Sequence, residues 1–438
     1  MRGIRRPLVV ESIRGAGRGA RRPERRAKAY PEVMRFARFR RGGETPGVSR
    51  PRLSREVYVL GVIAFFVMVG FGVVVPVLPV YVRSFGVGYL EIGAVVSAFA
   101  LMRFVSSPFT GRLIDWAGER VILASGIGIV ALSSGLVGVA QNYPQLLLLR
   151  GAGGVGSAMF TVAAMTLLLG STAPGFRARA IGFYQGGFLL GGMAGPALGG
   201  LLATISLTAP FFFYAATLAV AGVLGLVLLR PVRGGVVAEA GPPPERIPFR
   251  TVLRDTRFRA ACLANFATGW NSFGVRSALI PVLVVEVLRG PTAWTGIAFA
   301  FAAVAQTVAL APASRFVDTV GRRPAIIGAF LVAGLTILAV PFAPNIVVLT
   351  ALLCVYGVAS AFMGTAPAAS VGDAAGAGGG RPVSVFSMFS DLGAIVGPLA
   401  AGFLVDSVSY PVAFGVGALL FFATSAYALR MPRQARAA

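Results

Sequence analysis

Twelve apolar segments, each about as long as a bilayer is thick, follow one another along this chain and limit what it can fold into. A membrane-spanning helix needs about 20 mostly apolar residues, and lipid admits only structures that satisfy their own backbone hydrogen bonds. Of the 438 residues 13% are charged, against about 25% in a soluble domain. The sequence therefore predicts an all-α polytopic membrane protein with twelve transmembrane helices, over residues 57–82, 91–110, 121–140, 145–169, 181–204, 209–229, 259–288, 294–313, 325–343, 346–371, 383–405 and 410–429.

The longest connection between these spans divides them into two groups of six. It contains the run 241–244, Gly-Pro-Pro-Pro, and such polar, proline-rich sequence is typical of a linker. Residues 1–55 hold 17 Lys and Arg against four Glu and no apolar run, which predicts a disordered extension or one that touches anionic lipid. The extension has almost no interleaved aromatic residues that could stack on bases, so no nucleic-acid partner is expected. The predicted units are the N-terminal extension 1–55, the first half 56–229, the linker 230–258, the second half 259–430 and the tail 431–438.

The distribution of basic residues predicts the orientation in the membrane. If the N-terminus is cytoplasmic, 35 of the 40 Lys and Arg fall in cytoplasmic segments, and only Arg83 and Arg289 fall in external ones. Cytoplasmic loops carry such an excess of Lys and Arg. We therefore expect a multi-pass protein of the cytoplasmic membrane with both termini in the cytoplasm.

The two halves repeat each other at an offset of 202 or 203 residues. A basic loop of ten residues begins at Gly111 in the first half and recurs from Ser314 in the second. Parallel repeats of this kind place a central site between the halves, near the middle of the bilayer. Single residues recur in the same register: Asn142 with Asn345, Gly154 with Gly357, Gly195-Pro196 with Gly397-Pro398, and Pro79 with Pro281.

Four charged residues lie deep inside predicted spans: Arg103, Arg150, Arg276 and Asp391. A charge at the centre of a bilayer costs roughly 2.5–3.5 kcal/mol even on the lenient insertion scale, so these residues indicate an internal polar pathway. Burial favours the neutral form of a carboxyl group, which makes Asp391 a candidate proton carrier unless an arginine holds it ionised.

Residues for other chemistry are missing from the sequence. The chain has no His and only two Cys, which lie in different spans, so no metal site is expected. It contains no phosphate-binding Gly-x-x-x-x-Gly-Lys-Ser/Thr run. A membrane-embedded enzyme would need a nucleophile with a base, or metal ligands, and this alternative is remote. No cofactor is predicted.

The loop after the second span carries the pattern Gly-x-Leu-x-Asp-x-x-Gly-x-Arg. Here the chain, over about residues 56–430, resembles the major facilitator superfamily of secondary transporters. Gly111 and Gly118 are expected to permit a tight turn, with Asp115 beside Arg112 and Arg120 where an ion pair can form. The resemblance implies a latch that holds one conformation; the alternative is a basic loop that only sets topology. The residues of this gating motif are Gly111, Asp115, Gly118, Arg120, Asp318, Gly321 and Arg323.

Two further motifs support the resemblance. The run 150–156 resembles the family pattern Arg-x-x-Gln-Gly-x-Gly, with Gly153 in place of Gln, and the family links this arginine to proton coupling. Arg150, Ser157 and Thr161 share one helical face with Gly154. The fifth span resembles a motif of drug:proton antiporters, although small residues there could serve helix packing alone. Its residues are Gly191, Gly195, Pro196, Gly199 and Gly200.

The seventh span carries a polar stripe. Asn265, Thr268, Ser272 and Arg276 follow helical spacing, with Trp270 and Asn271 beside them. The stripe is predicted either to line a cavity, where Trp270 could contact an organic substrate, or to make hydrogen bonds between helices.

Arg103 and Asp391 lie at similar depths from their cytoplasmic ends, and spans 2 and 11 meet in the family. We therefore expect an ion pair that breaks and forms during transport, or else a static structural pair. The resemblance implies a monomeric transporter that moves a small organic molecule by alternating access, with proton-coupled efflux favoured. The alternative is a symporter or uniporter of an anionic metabolite, which the three intramembrane arginines would suit.

Overall fold

Every regular element in the computed structural model is a helix, over the residues that it describes: 53–172, 176–229, 248–375 and 380–432. In chain order the α-helices are α1 (Arg55–Val74), α2 (Leu78–Arg83), α3 (Tyr89–Ala117), α4 (Glu119–Val137), α5 (Tyr143–Gly170), α6 (Arg177–Ala203), α7 (Ala209–Leu228), α8 (Phe249–Arg254), α9 (Thr256–Gly269), α10 (Ile280–Glu286), α11 (Thr292–Thr319), α12 (Arg322–Ala339), α13 (Ile346–Ala375), α14 (Gly380–Ser407) and α15 (Tyr410–Ala428).

Parts of the predicted units fall outside the described residues. These parts are 1–52 of the basic extension, 173–175 of the first half, 230–247 of the linker with its proline run, 376–379 of the second half, and 433–438 of the tail. The end of the predicted linker is helical, because α8 and the start of α9 lie before residue 259.

All twelve predicted spans correspond to helical segments, but two of them are interrupted. Eleven helices in the described ranges are long and apolar enough to cross a membrane. The seventh span is divided into α9, a π-helix (Trp270–Leu279) and α10. Pro281 has no N–H for the carbonyl of Ser277, and the wider π-helix accommodates that loss. The first span breaks between α1 and α2, around Pro76.

The recurring residues have the same structural role in both halves. Asn142 accepts a hydrogen bond from the N–H of Gln145 at 3.0 Å and caps α5, and Asn345 accepts one from Val348 at 3.0 Å before α13. Such side-chain caps satisfy amides that have no partner within the helix. The duplication seen in the sequence is therefore a duplication of structure.

The turn glycines of the two basic loops also correspond, with one correction. Gly118 and Gly321 have positive φ angles of 81° and 114°, a conformation that glycine adopts without strain. Gly111 does not form the expected turn, because α3 continues through it as far as Ala117. The residues between Gly111 and Gly118 stay helical, so Gly118 alone ends α3.

Candidate functional site

An ion pair joins the two halves in the middle of the bundle. Nη2 of Arg103 on α3 donates to Oδ1 of Asp391 on α14 at 2.6 Å. The side chains are 33% and 28% exposed, so solvent reaches both. The predicted contact between the two side chains is present.

Two related seams hold the halves together beyond this pair. A methyl group on Gly93 of α3 would overlap the carbonyl oxygen of Pro398 on α14, and one on Gly296 of α11 would overlap that of Pro196 on α6. Gly93 and Gly296 are 203 residues apart, so the two contacts are equivalents in the repeat. Close backbone approach through glycine is a common mode of helix packing in membranes.

The antiporter-like motif lies at one of these seams. Gly191, Gly195 and Gly199 pack against the backbone of α1 in the same half. Gly200 and the carbonyl oxygen of Pro196 face α11 in the other half, while the ring of Pro196 lies against Gly72 of α1. The motif therefore allows α6 to pack closely against a helix of each half.

A cluster of charged and aromatic residues closes one end of the bundle, which we call the Arg83 end. Nε of Arg83 donates to Oε1 of Glu286 at 2.9 Å, and the hydroxyl of Tyr89 donates to Oε2 of the same carboxylate. Asp406 accepts hydrogen bonds from the backbone N–H groups of Tyr89 at 3.1 Å and Leu90 at 2.7 Å. A carboxylate on α14 thus caps the start of α3 in the other half.

The sequence analysis did not identify this cluster, although one observation could have revealed it. Arg83 and Glu286 are 203 residues apart and so occupy equivalent positions in the two repeats. Equivalent positions that approach a pseudo-two-fold axis meet each other. Opposite charges at such a pair predict a contact.

The opposite end, the Asp115 end, is not closed in this way. Asp115 and Asp318 are exposed. Neither makes an ion pair in the described part of the chain, so the pair expected between Asp115 and Arg112 or Arg120 is not formed. Arg323 of the second loop donates to the carbonyl oxygen of Leu429 at 2.8 Å. Among the described residues, the ion pairs that join the two halves are thus Arg83–Glu286 at the Arg83 end and Arg103–Asp391, and none lies at the Asp115 end.

A cavity of about 240 Å³ lies beside the ion pair. The polar part of its wall includes Arg103, Arg150, Ser157, Thr161 and Ser277. Gly154 was predicted to share a helical face with Arg150, Ser157 and Thr161. It does not line the cavity, because it packs against the backbone of Phe99 on α3. Among the described residues, the second half contributes to this wall only from the π-helix. Most of the wall is apolar and includes the rings of Phe71, Phe99, Phe160, Phe188, Tyr214 and Phe273.

Arg150 is the least compensated charge of this cavity. Its side chain is 7% exposed, and its Nε has no hydrogen-bond partner. The guanidinium lies 4.7 Å from the centre of the Phe99 ring, and no carboxylate of the described residues pairs with it. A buried cation that only an aromatic face partly stabilises is suited to receive an anionic group.

A larger cavity of about 630 Å³ adjoins the first, with which it shares Met68 and Phe188. It lies between α6 and α11 and includes Gln185, Gln306 and Arg276 in its wall. The guanidinium of Arg276 lies 5.0 Å from the centre of the Phe299 ring. Arg276 therefore belongs to the second cavity rather than to the wall around Arg103.

The polar stripe of the seventh span does not stay on one face. Nδ2 of Asn265 donates to the carbonyl oxygen of Phe386 at 2.7 Å, and Nδ2 of Asn271 donates to that of Gly417 at 3.0 Å. Trp270 is buried against α14. Neither cavity includes these three side chains in its wall, whereas Phe273 and Arg276 line one each.

The latch at the Arg83 end gives a first prediction. Glu286→Gln keeps the size of the side chain but removes the charge that Arg83 binds. Because the pair is about one-third exposed, we expect a loss of about 1 kcal/mol, or a fivefold shift toward a conformation open at this end. Spin labels at Ser84 and Val287, with both cysteines replaced by Ser, would report this shift as a longer distance.

Two further variants test the assignment of this latch. Arg289→Gln is the matched control, because Arg289 lies near Glu286 in the chain but makes no ion pair with a described residue. The exchanged pair, Arg83→Glu with Glu286→Arg, should restore the short distance. An unchanged distance distribution in Glu286→Gln would contradict the assignment.

Two six-helix halves around a charged internal cavity define a multi-pass helical membrane protein of the transporter class. The family model of the Major Facilitator Superfamily matches residues 60–305 and 261–437. The chain belongs to this superfamily, whose members are transporters rather than enzymes.

Relatives with assigned names share part of the chain. It is 32% identical to quinolone resistance protein NorA of Staphylococcus aureus over 178 residues, which are 40% of this chain and 46% of NorA. It is 28% identical to multidrug resistance protein 1 of Bacillus subtilis over 166 residues, 38% of this chain and 43% of that protein. The matched region thus spans slightly less than half the length of each relative.

Solved structures match over most of the chain. A bacterial homologue of the human lysosomal transporter Spinster, in an inward-facing and unoccupied conformation, aligns with a TM-score of 0.69 at 16% identity, over 87% of this chain and 95% of that one. The nucleoside transporter NupG aligns with a TM-score of 0.67 at 14% identity, over 86% and 100%. The human organic anion transporter MFSD10 aligns with 0.62 at 20% identity, over 86% and 100%. These likenesses confirm the predicted fold.

Proposed function

We propose that this protein exports a small organic molecule by alternating access, driven by the entry of protons. The observation that carries the proposal is the Arg103–Asp391 ion pair, which bridges the two halves beside a largely aromatic cavity. Aromatic walls with a few placed polar groups are typical of sites for organic ligands. The partial likeness to two drug-resistance proteins supports export.

The ion pair provides a means of coupling. While Asp391 is ionised, Arg103 attracts it and α3 stays close to α14 at this depth. In the conformation open at the Arg83 end the pair is broken and Asp391 takes up a proton from that side, so that no attraction to Arg103 opposes the new arrangement. After the halves return, Asp391 releases the proton toward the Asp115 end and the pair forms again. One proton thus enters in each complete cycle.

The proposed orientation follows from loop charge. The Asp115 end carries the basic loops, and we place it in the cytoplasm together with both termini. A conformation latched at the Arg83 end then faces the cytoplasm, from which an exporter takes its cargo. We further propose a monomer in the cytoplasmic membrane, with no nucleic-acid partner.

Proton release from everted membrane vesicles tests the function. Vesicles carry a pH gradient, and a pH-sensitive dye reports recovery of fluorescence when lipophilic cations, neutral drugs or organic anions are added. Recovery with one class of compound, lost in Asp391→Asn, would establish proton antiport and name the class. Glu119→Gln is the matched control, a carboxylate at the start of α4. Silence across the panel with confirmed expression would contradict proton-coupled export.

A second candidate function has its own observation. Arg150 is buried without a carboxylate partner and lines the same cavity, and this favours an anionic cargo, moved by symport or uniport. The same panel separates the two functions. An anion whose transport does not collapse the pH gradient would favour the second candidate.

A further inference from the structure

A third pocket, separate from the two cavities, lies between α9 and α14 toward the Asp115 end. Its volume is about 430 Å³. Arg259 is the one charged residue in its wall, and the wall shares no residue with either cavity described above. The rest of the wall consists of Leu253, Phe258, Cys262, Leu263, Phe266 and Phe389.

Arg259 and three arginines close to it in the chain form a basic group, which we call the arginine rim. Arg259 donates through Nε to the carbonyl oxygen of Leu253 at 2.8 Å, and its two terminal amino groups have no acceptor in the described part of the chain. Arg250, Arg254 and Arg257 lie within ten residues of it, on α8 and the first turn of α9. None of the four forms an ion pair with a described residue.

The nearby acidic residue offsets only part of this positive charge. Asp255 caps α9, because its Oδ1 accepts a hydrogen bond from the N–H of Arg257 at 2.7 Å. One carboxylate against four arginines leaves an excess of positive charge beside an apolar hollow. The matching ligand has an anionic head and an apolar tail.

We propose that this pocket binds one anionic phospholipid of the leaflet at the Asp115 end. One acyl chain fills the hollow between α9 and α14, and the phosphate lies at Arg259. A free phosphate would leave the apolar wall exposed to water, and a zwitterionic lipid would gain less from the arginine rim. Clusters of Lys and Arg beside a membrane-spanning helix attract anionic lipid in this way.

A lipid bound in this pocket would also affect α14, the helix that carries Asp391 of the ion pair. Phe389 precedes Asp391 by two residues on α14. Asn265 of α9 already donates to the carbonyl oxygen of Phe386 on α14 at 2.7 Å. A lipid that packs against both helices strengthens their contact, so it stabilises the fold around the helix that carries Asp391. This inference does not depend on the cargo or on proton coupling.

Thermal unfolding of the full chain in an uncharged detergent, after removal of native lipid, tests the proposal. Phosphatidylglycerol is expected to raise the Tm in a saturable way, whereas phosphatidylcholine and glycerol phosphate leave it unchanged. Arg259→Gln should weaken the apparent affinity for phosphatidylglycerol about fivefold, and Arg259→Lys should retain most of it. Arg179→Gln, an exposed arginine at the start of α6, is the matched control.

Filling the pocket tests its apolar part. Cys262→Trp and Leu263→Phe each place a larger side chain in the hollow and should abolish the lipid-dependent shift in Tm. Two variants are used so that the test still works if one of them does not fold. An equal shift with phosphatidylcholine would overturn the proposal in favour of general solvation by lipid. An equal shift with glycerol phosphate would overturn it in favour of a simple anion site. If phosphatidylglycerol raises the Tm of Arg259→Gln and of a folded pocket-filling variant as much as that of the wild type, the lipid binds elsewhere.

Discussion

Asp391→Asn is expected to lower proton-coupled transport roughly tenfold or more, and Arg103→Gln to lower it by a similar factor. Each change leaves the partner without its counter-charge inside the bundle. Breaking a fully buried pair costs about 3–5 kcal/mol, and water reduces that figure here because both side chains are about one-third exposed. A residual cost above about 1.4 kcal/mol corresponds to a tenfold effect. Initial rates of substrate-dependent fluorescence recovery in everted vesicles measure it.

Two double variants decide what the pair does. If contact between opposite charges is the requirement, the exchange of Arg103→Asp with Asp391→Arg should recover part of the transport that each single change removes. If the pair is a static structural link, the neutral combination of Arg103→Gln and Asp391→Asn should transport as the wild type does. Failure of the exchanged pair with good folding would argue strongly against a cycle of breaking and forming this contact.

The fold could be predicted from the sequence because lipid leaves the backbone few options. Long apolar runs in a membrane form helices, and recurring residues such as Asn142 and Asn345 fixed the register of the two halves. Helix ends were less predictable. Gly111 resembled a turn residue, but glycine permits a turn without requiring one, and α3 continues to Ala117.

The site was predictable where it depended on depth along straight helices. Arg103 and Asp391 meet because α3 and α14 run side by side and each charge lies about the same distance from a helix end. The faces of the seventh span were not predictable in the same way. Residues 270–279 form a π-helix, which has more residues per turn than an α-helix, so counting by 3.6 misplaces every side chain beyond Trp270.

The other polar contacts between the halves could not be predicted by counting residues along helices. The cap that Asp406 provides for α3 joins residues more than 300 positions apart. Neither the hydropathy nor the spacing around Asp406 distinguishes it from an ordinary loop residue. In the sequence, only the repeat offset of 203 residues links Arg83 with Glu286. That offset predicts a contact only if the two halves are related by a pseudo-two-fold axis.

Arg150→Leu is expected to change stability and anion binding in opposite directions. Leu353 occupies the equivalent position in the second half, so leucine is a side chain that this fold accommodates there. Removing a buried cation with no carboxylate partner should raise the Tm, because burial of an unpaired charge is costly. Affinity for an anionic aromatic ligand should fall about tenfold to a hundredfold, since a charged hydrogen bond contributes roughly 1.5–3 kcal/mol.

The directions of these two changes separate a binding role of Arg150 from a structural one. Thermal unfolding without ligand measures the change in Tm, and ligand-dependent quenching of intrinsic fluorescence measures the change in affinity. Arg150→Lys keeps the charge and should retain much of the affinity for the anion, although lysine lacks the planar fork that binds a carboxylate through two hydrogen bonds. A neutral aromatic ligand should bind all three proteins about equally. If Arg150→Leu lowers the Tm and leaves anion binding intact, Arg150 stabilises the packing of α5 against α3, and the anionic cargo loses its main support.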